Sequence, residues 1–182
     1  MNASKNKNLS KRLSYVLRHN PSSIDIELDS AGWLDLDVLV DKLRTVGGLT
    51  VTAEEISHVV ETNGKKRFQL VDGRIRAAQG HSVDVDLGLE PVVPPDVLWH
   101  GTVAKFLDSI MANGLRPGSR THVHLSADIA TARNVGSRRG RPVLLRIDAA
   151  ALHRDGEPFF QSANGVWLTK HVPASALSME HG

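Results

Sequence analysis

The feature that most limits the fold is a stretch near the middle of the chain, residues 82–96, reading SVDVDLGLEPVVPPD. It holds three prolines, four acids and no lysine or arginine. Proline has no backbone N–H and a fixed φ, so neither a helix interior nor a central strand passes through such a segment. The stretch is expected to be an extended connector between two lobes. A chain of 182 residues suits one compact domain or two small lobes. The expected division is a first lobe at 1–85, a linker at 86–96 and a second lobe at 97–182.

Hydrophobic residues make up 41% of the chain, enough for real cores. There is no cysteine, which excludes disulfides and thiolate metal sites and fits a reducing compartment. The N-terminal residues MNASKNKNLSKRLSYV contain no long apolar run, so no signal peptide or membrane span is expected. A soluble cytoplasmic protein is anticipated, with a monomer as the default. Net charge is only +2, so an anion site must be a local cluster of cations rather than a basic tail.

In the first lobe, Leu9, Leu13, Val16 and Leu17 recur at helical spacing, and Asn20-Pro21 ends that helix. A second helix follows Gly32-Trp33, around residues 37–43. A third starts at Thr52, where Thr52 and Glu55 form a capping-box pattern ahead of Ile56, Val59 and Val60. The runs RFQLV and RIRAAQ then flank Asp72-Gly73, a strong hairpin signal. Three helices followed by a hairpin describe a winged helix. With Phe68, Leu70, Ile75 and Ala77 facing the core, Arg67, Gln69, Arg74 and Arg76 share the other face, and Gln69 lies opposite Arg76.

The second lobe alternates strands and short helices, an α+β pattern. VLWH, HVHLS, PVLLRID and GVWLT read as strands. Thr102 is expected to cap a helix carrying Phe106, Leu107, Ile110 and Met111 that stops at Gly114, and residues 127–135 read as another helix. No Rossmann Gly-x-Gly-x-x-Gly, P-loop, His-Glu-x-x-His or serine nucleophile elbow is found. His122-x-His124 lacks a third ligand, so no metal site is expected. What remains is arginine and histidine: Arg18-His19 closing the first helix, Lys65-Lys66-Arg67 opening the hairpin, and Arg138-Arg139-Gly140-Arg141 before a strand. The planar fork of arginine gives phosphate two parallel hydrogen bonds and a permanent charge. Taken singly, each is as readily a solvated surface charge.

The segments LSYVLRHNP, GWLDLDVLV, KKRFQL, IRAAQGHS, LWHGT, NGLRPGSRTHVHLSAD, VGSRRGRPVLLRID and PFFQSANGVWLT stand in order over nearly the whole chain, from about Leu9 to Thr169. Together they resemble the tRNA 2′-phosphotransferase family of the KptA type. The resemblance implies an N-terminal winged helix that handles RNA and a C-terminal lobe with the ADP-ribosyltransferase fold that holds NAD. It implies Arg18, His19, Arg67 and Arg138 as catalytic residues that grip the substrate from both lobes. It implies that His100, Gly101 and Thr102 contact the dinucleotide, with His124 and Ser126 in a second motif. Arg116, Asn164 and Val166 are added as NAD-contact candidates, and Arg76 and His81 as RNA-contact candidates. Val166 stands where many ADP-ribosyltransferases carry a catalytic glutamate, and Arg139 where a histidine is frequent in the family.

The chemistry implied by the resemblance has two steps. An oxygen of an RNA 2′-phosphate attacks the anomeric carbon of NAD and nicotinamide leaves. A neighbouring ribose hydroxyl then attacks phosphorus, releasing the RNA 2′-hydroxyl and ADP-ribose 1″,2″-cyclic phosphate. An anionic nucleophile needs no general base, which accounts for the missing carboxylate. His19 would hold the phosphate or donate a proton to the leaving oxygen. NAD is a co-substrate in this scheme, and no metal takes part. The rival readings are an ADP-ribosyltransferase modifying nucleic-acid or protein acceptors, and a winged-helix binding module without catalysis.

Overall fold

The spacing of Leu9, Leu13, Val16 and Leu17 sets the first helix, α1 (Ala3–Arg18), in a computed structural model that describes residues 3–180. The outermost residues of the two expected lobes, 1–2 and 181–182, lie outside the described residues. Beyond α1 a short 3-10 turn (Pro21–Ile24) leads to strand β1 (Leu34–Asp35) and helix α2 (Leu36–Thr45). Asp35 caps α2 by accepting from the amides of Asp37 and Val38, satisfying two of the donors that a helix start leaves bare. Helix α3 (Ala53–Thr62) begins with the full capping box of Thr52 and Glu55.

Strands β2 (Phe68–Val71) and β3 (Arg74–Ala77) form the expected hairpin. Asp72 and Gly73 both take positive φ, 48° and 73°, the turn that matches the twist of two adjacent strands. The sheet order is β1-β3-β2, all antiparallel, and β1 is too short to show a sequence period. Phe68, Ile75 and Ala77 are buried with Leu13, Leu17, Leu39, Leu43 and Ile56 in one core, and Leu70 is partly buried against it.

The second unit contains β4 (Val97–Val103), α4 (Ala104–Asn113), β5 (Val123–Leu125), α5 (Ile129–Gly136) and β6 (Pro142–Asp148). After these come α6 (Ala149–Arg154), β7 (Phe160–Gln161), β8 (Trp167–Thr169) and β9 (Leu177–Met179). Two antiparallel sheets, β4-β6-β9 and β5-β8-β7, are joined by mutual backbone bonds of 2.8 Å between Trp99 and Ser126. Leu98, Leu125, Leu145, Ile147, Phe159 and Trp167 fill its core.

One expectation needs correction here. Thr102 does not cap α4: the strand runs one residue further, Val103 takes the cap position without a side-chain bond, and Thr102 is buried in β4 opposite Val143. The β4–β6 pairing extends through Val103, which keeps Thr102 inside the strand and out of the cap position. The boundary between the units falls within the expected connector. The chain splits into two compact units between Gly88 and Leu89. Ser82 and Asp86 donate backbone N–H groups to Arg18 and Ser30 in the first unit, while Val92 donates to Phe159 in the second. No helix among the described residues is long and apolar enough to cross a membrane.

Candidate active site

In the first unit Arg18 and His19 stand where α1 ends, because Pro21 follows and the amides of His19 and Asn20 both turn back to the Tyr15 carbonyl at 3.0 Å. Arg18 is half-buried, and its Nη2 donates to the Arg67 carbonyl at 3.2 Å. Arg67, entering β2, donates from Nη1 to Asn63 Oδ1 at 3.3 Å. Asn63 sits at the end of α3 and donates its amide to Ser10 Oγ at 3.0 Å. One amide side chain thus ties both helices to the hairpin and sets the arginine.

His19 is exposed, with Nδ1 at 2.9 Å from Ser82 Oγ. The Ser82 amide donates to the Arg18 carbonyl at 2.9 Å, so this loop closes over the end of α1. Arg18, His19 and Arg67 all line one groove of about 820 Å³, whose lining among the described residues includes no aspartate or glutamate.

Two other residues singled out for RNA face inward. Arg76 donates from Nε to Gln69 Oε1 at 2.7 Å, as the cross-strand register places them. Its Nη1 reaches the carbonyls of Ala31 at 3.2 Å and Leu87 at 3.3 Å, and its guanidinium lies 4.5 Å from the Trp33 ring centroid. The arginine therefore ties the hairpin to the segments on either side of it. His81 is 1% exposed, and its Nε2 has no hydrogen-bond partner. Burial, then the charges of Arg18, Arg76 and His19, push its pKa down to about 4, so the ring is neutral at pH 7.

In the second unit β4 carries His100, Gly101 and Thr102. The half-buried His100 has Nδ1 at 3.1 Å from the His124 carbonyl. A carbonyl only accepts, so Nδ1 carries the hydrogen. Burial, then the positive charges of Arg139 and Arg120, lower the His100 pKa against the opposing effect of that bond, which keeps the ring neutral. His124, on β5, has Nδ1 at 2.9 Å from Arg120 Nη1. Arginine only donates, so here Nδ1 accepts and Nε2 carries the hydrogen.

Gly101 has a packing reason of its own: a Cβ there would lie 1.8 Å from the Ala132 carbonyl of α5. The helix backbone sits directly on the strand, next to His100. Arg138 and Arg139 form an exposed 3-10 turn after α5. The Arg120 pKa is lowered by burial and then by the charges of Arg139 and Arg138. Sequence reasoning passed over Arg120, whose only local signal is its four-residue spacing from His124. Ser126 is half-buried beside Trp99, and Arg116 is exposed in the loop after α4. Asn164 and Val166 lie in the turn between β7 and β8. The buried Ser162, also missed, donates to Asn164 Oδ1 at 2.8 Å, and its Oγ accepts from the Val166 amide at 3.1 Å.

Three ion pairs occur among the described residues, Lys5–Glu55, Arg44–Asp41 and Arg74–Asp29, and none involves Arg120, Arg138 or Arg139. No group of three or more His, Cys, Asp or Glu side chains that could hold a metal occurs among the described residues.

Arginine forks are brought together in each unit, and the planar guanidinium is the side chain best shaped for phosphate. A family model described as RNA 2′-phosphotransferase, Tpt1/KptA family, matches residues 4–171. A protein of Hahella chejuensis is 52% identical over 175 residues, covering 95% of this chain and 94% of that protein. One from Streptomyces coelicolor is 53% identical over 169 residues, covering 93% and 92%. One from Pseudomonas fluorescens is 54% identical over 171 residues, covering 92% and 93%. All three are named as probable RNA 2′-phosphotransferases. The chain belongs to the RNA 2′-phosphotransferase family, and is an enzyme.

Proposed function

We propose that the protein is an NAD-dependent RNA 2′-phosphotransferase that removes an internal 2′-phosphate of the tRNA splice-junction type by transfer to ADP-ribose. The first unit, three helices and a hairpin, is read as a winged helix that takes the RNA, and the second as an ADP-ribosyltransferase-like lobe that takes NAD. The observation that carries the proposal is the single groove lined by Arg18, His19 and Arg67 in a chain of this family.

The donor set of the second unit fits NAD. Arg120, whose pKa is lowered by burial and then by the charges of Arg139 and Arg138, suits a pyrophosphate that would offset those charges. His100 offers a ring nitrogen acceptor and His124 a ring N–H donor. Arg116, Ser126, Asn164 and Val166 are further NAD-contact candidates, and Arg76 and His81 are the RNA-contact candidates of the first unit. Bound NAD supplies the ADP-ribosyl group that accepts the phosphate, and nicotinamide is the leaving group.

The chain's own residues orient and neutralise. Arg18 and Arg67 are pre-set by the Arg67 carbonyl and Asn63, so they meet phosphate charge with little rearrangement. Holding the reacting phosphate in place is the main task, and oriented proximity contributes roughly 7–11 kcal/mol in favourable cases. Arg138 stabilises charge that grows on phosphate oxygens as the phosphorus centre reacts. His19 holds the phosphate and hands a proton to the departing RNA oxygen.

The test is incubation of the full chain with 2′-phosphorylated RNA, with and without NAD, followed by analysis of both products. Loss of the 2′-phosphate only with NAD, with nicotinamide and ADP-ribose 1″,2″-cyclic phosphate released, is the expected result. RNA that ends the reaction still carrying ADP-ribose would instead support an ADP-ribosyltransferase.

A further inference from the structure

The groove that holds Arg18, His19 and Arg67 extends further than one phosphate requires. Lys7, Lys11 and Tyr15 of α1 line it, as does Lys65 after α3. Lys7, Lys11 and Arg18 are separated by four and then seven residues, so they share one helix face over roughly 16 Å. The carboxylates of the unit's ion pairs, Glu55, Asp41 and Asp29, are not among the groove's lining residues. A single anion needs only the Arg18 end. A row of lysines at helical spacing along one groove suits a polyanion with evenly spaced charge.

Tyr15 narrows the choice. It is the chain's one tyrosine and is 42% exposed. Its hydroxyl accepts from Asn20 Nδ2 at 2.9 Å, and the Arg12 guanidinium lies 6.0 Å from its ring centroid. An exposed aromatic fixed in place beside cations is a platform for an unstacked base. A base inside a duplex has no face to offer it.

Resting on the reading that Arg18, His19 and Arg67 take the 2′-phosphate, we infer that α1 is a track for single-stranded RNA flanking the modified nucleotide. Lys7 and Lys11 pair with successive backbone phosphates, and Tyr15 stacks on a neighbouring base.

The test compares the full wild-type chain with the double variant Lys7→Ala, Lys11→Ala. Each is assayed with NAD on a 2′-phosphorylated dinucleotide and on a longer single strand carrying the same group. Wild type prefers the longer RNA through a lower KM, and the double variant loses about fivefold of that preference. The slope of log KM against log salt on the longer RNA becomes shallower by about 1.4, at roughly 0.7 per phosphate contact on a single strand. Tyr15→Leu reduces the preference, while Tyr15→Phe keeps most of it. An unchanged preference and slope in the double variant overturns the track. Equal KM for a duplex and a single strand overturns the assignment to single-stranded RNA. If wild type fails on the dinucleotide, the functional reading is at fault instead. Fluorescence anisotropy with unphosphorylated single-stranded RNA then still decides the track by the same change in salt slope.

Discussion

In the first unit Arg18 is anchored on a carbonyl and Arg67 on an amide that itself ties two helices together, whereas in the second Arg138 and Arg139 stand exposed on one short turn. The first arrangement spends its backbone and amide groups on holding each guanidinium before any ligand arrives. The second sets the charges of Arg139 and Arg138 against Arg120, whose pKa falls through burial and then through those charges. On the proposed function, the first arrangement would align a phosphate and the second would draw in a dinucleotide.

The largest expected break in this contrast is Arg138→Ala. Removal of RNA 2′-phosphate should fall by about 10²–10³, as for loss of one preorganised charge-stabilising donor. Nicotinamide release should fall much less, so that the two signals uncouple. Parallel loss of both in a rapid-quench assay would take Arg138 out of the phosphorus step. Next comes Gly101→Ala, where the new Cβ meets a helix carbonyl at 1.8 Å. Overpacking of this kind costs about 3 kcal/mol. The second unit should lose thermal stability by circular dichroism, and a melting curve equal to wild type would show that α5 yields easily.

A smaller effect separates the units by pH. His81 is neutral in the fold with a pKa of about 4, below its usual 6.5, so the unfolded chain takes up the proton first as pH falls. Its contribution is intact above pH 6.5 and drains away between 6.5 and about 4, by at most about 3 kcal/mol. Denaturant titrations at several pH values should show that slope in wild type and a weaker one in His81→Phe. Equal slopes would place the acid sensitivity elsewhere. The mildest change is Ser82→Ala, which removes the hydroxyl beside His19 Nδ1. Loss of one such bond is worth roughly 1 kcal/mol, or about fivefold in kcat. A shift in the acidic limb of the kcat–pH profile should accompany it, and a purely structural role for Ser82 would leave that limb in place.

Much of the first unit was legible because its signals are local. The Thr52–Glu55 box, the Asp72-Gly73 turn and the alternation of Phe68, Ile75 and Ala77 each act within a few residues. What the hairpin's other face would meet was not legible. Arg76 was placed opposite Gln69 correctly, but its stacking on Trp33 depends on contacts across more than forty residues. The two- and three-residue strands β1, β7 and β9 are too short to carry a period. Thr102 misled because a capping residue and a strand residue look alike when the strand runs one position further. In the second unit the motif around His100 marked the right strand, but Arg120 belongs to a loop with no pattern to announce it.

On the proposed function, the two ring orientations on β4 and β5 would give the NAD site a selectivity of its own. His100, its Nδ1 hydrogen committed to a main-chain oxygen, presents a lone pair at Nε2 and so welcomes a group that brings hydrogen, such as a sugar hydroxyl, while turning away a bare anionic oxygen. His124 has the opposite polarity. Neighbours of unlike sign at the hydrogen-bond level can tell a carbohydrate edge from a phosphate edge without any change of charge.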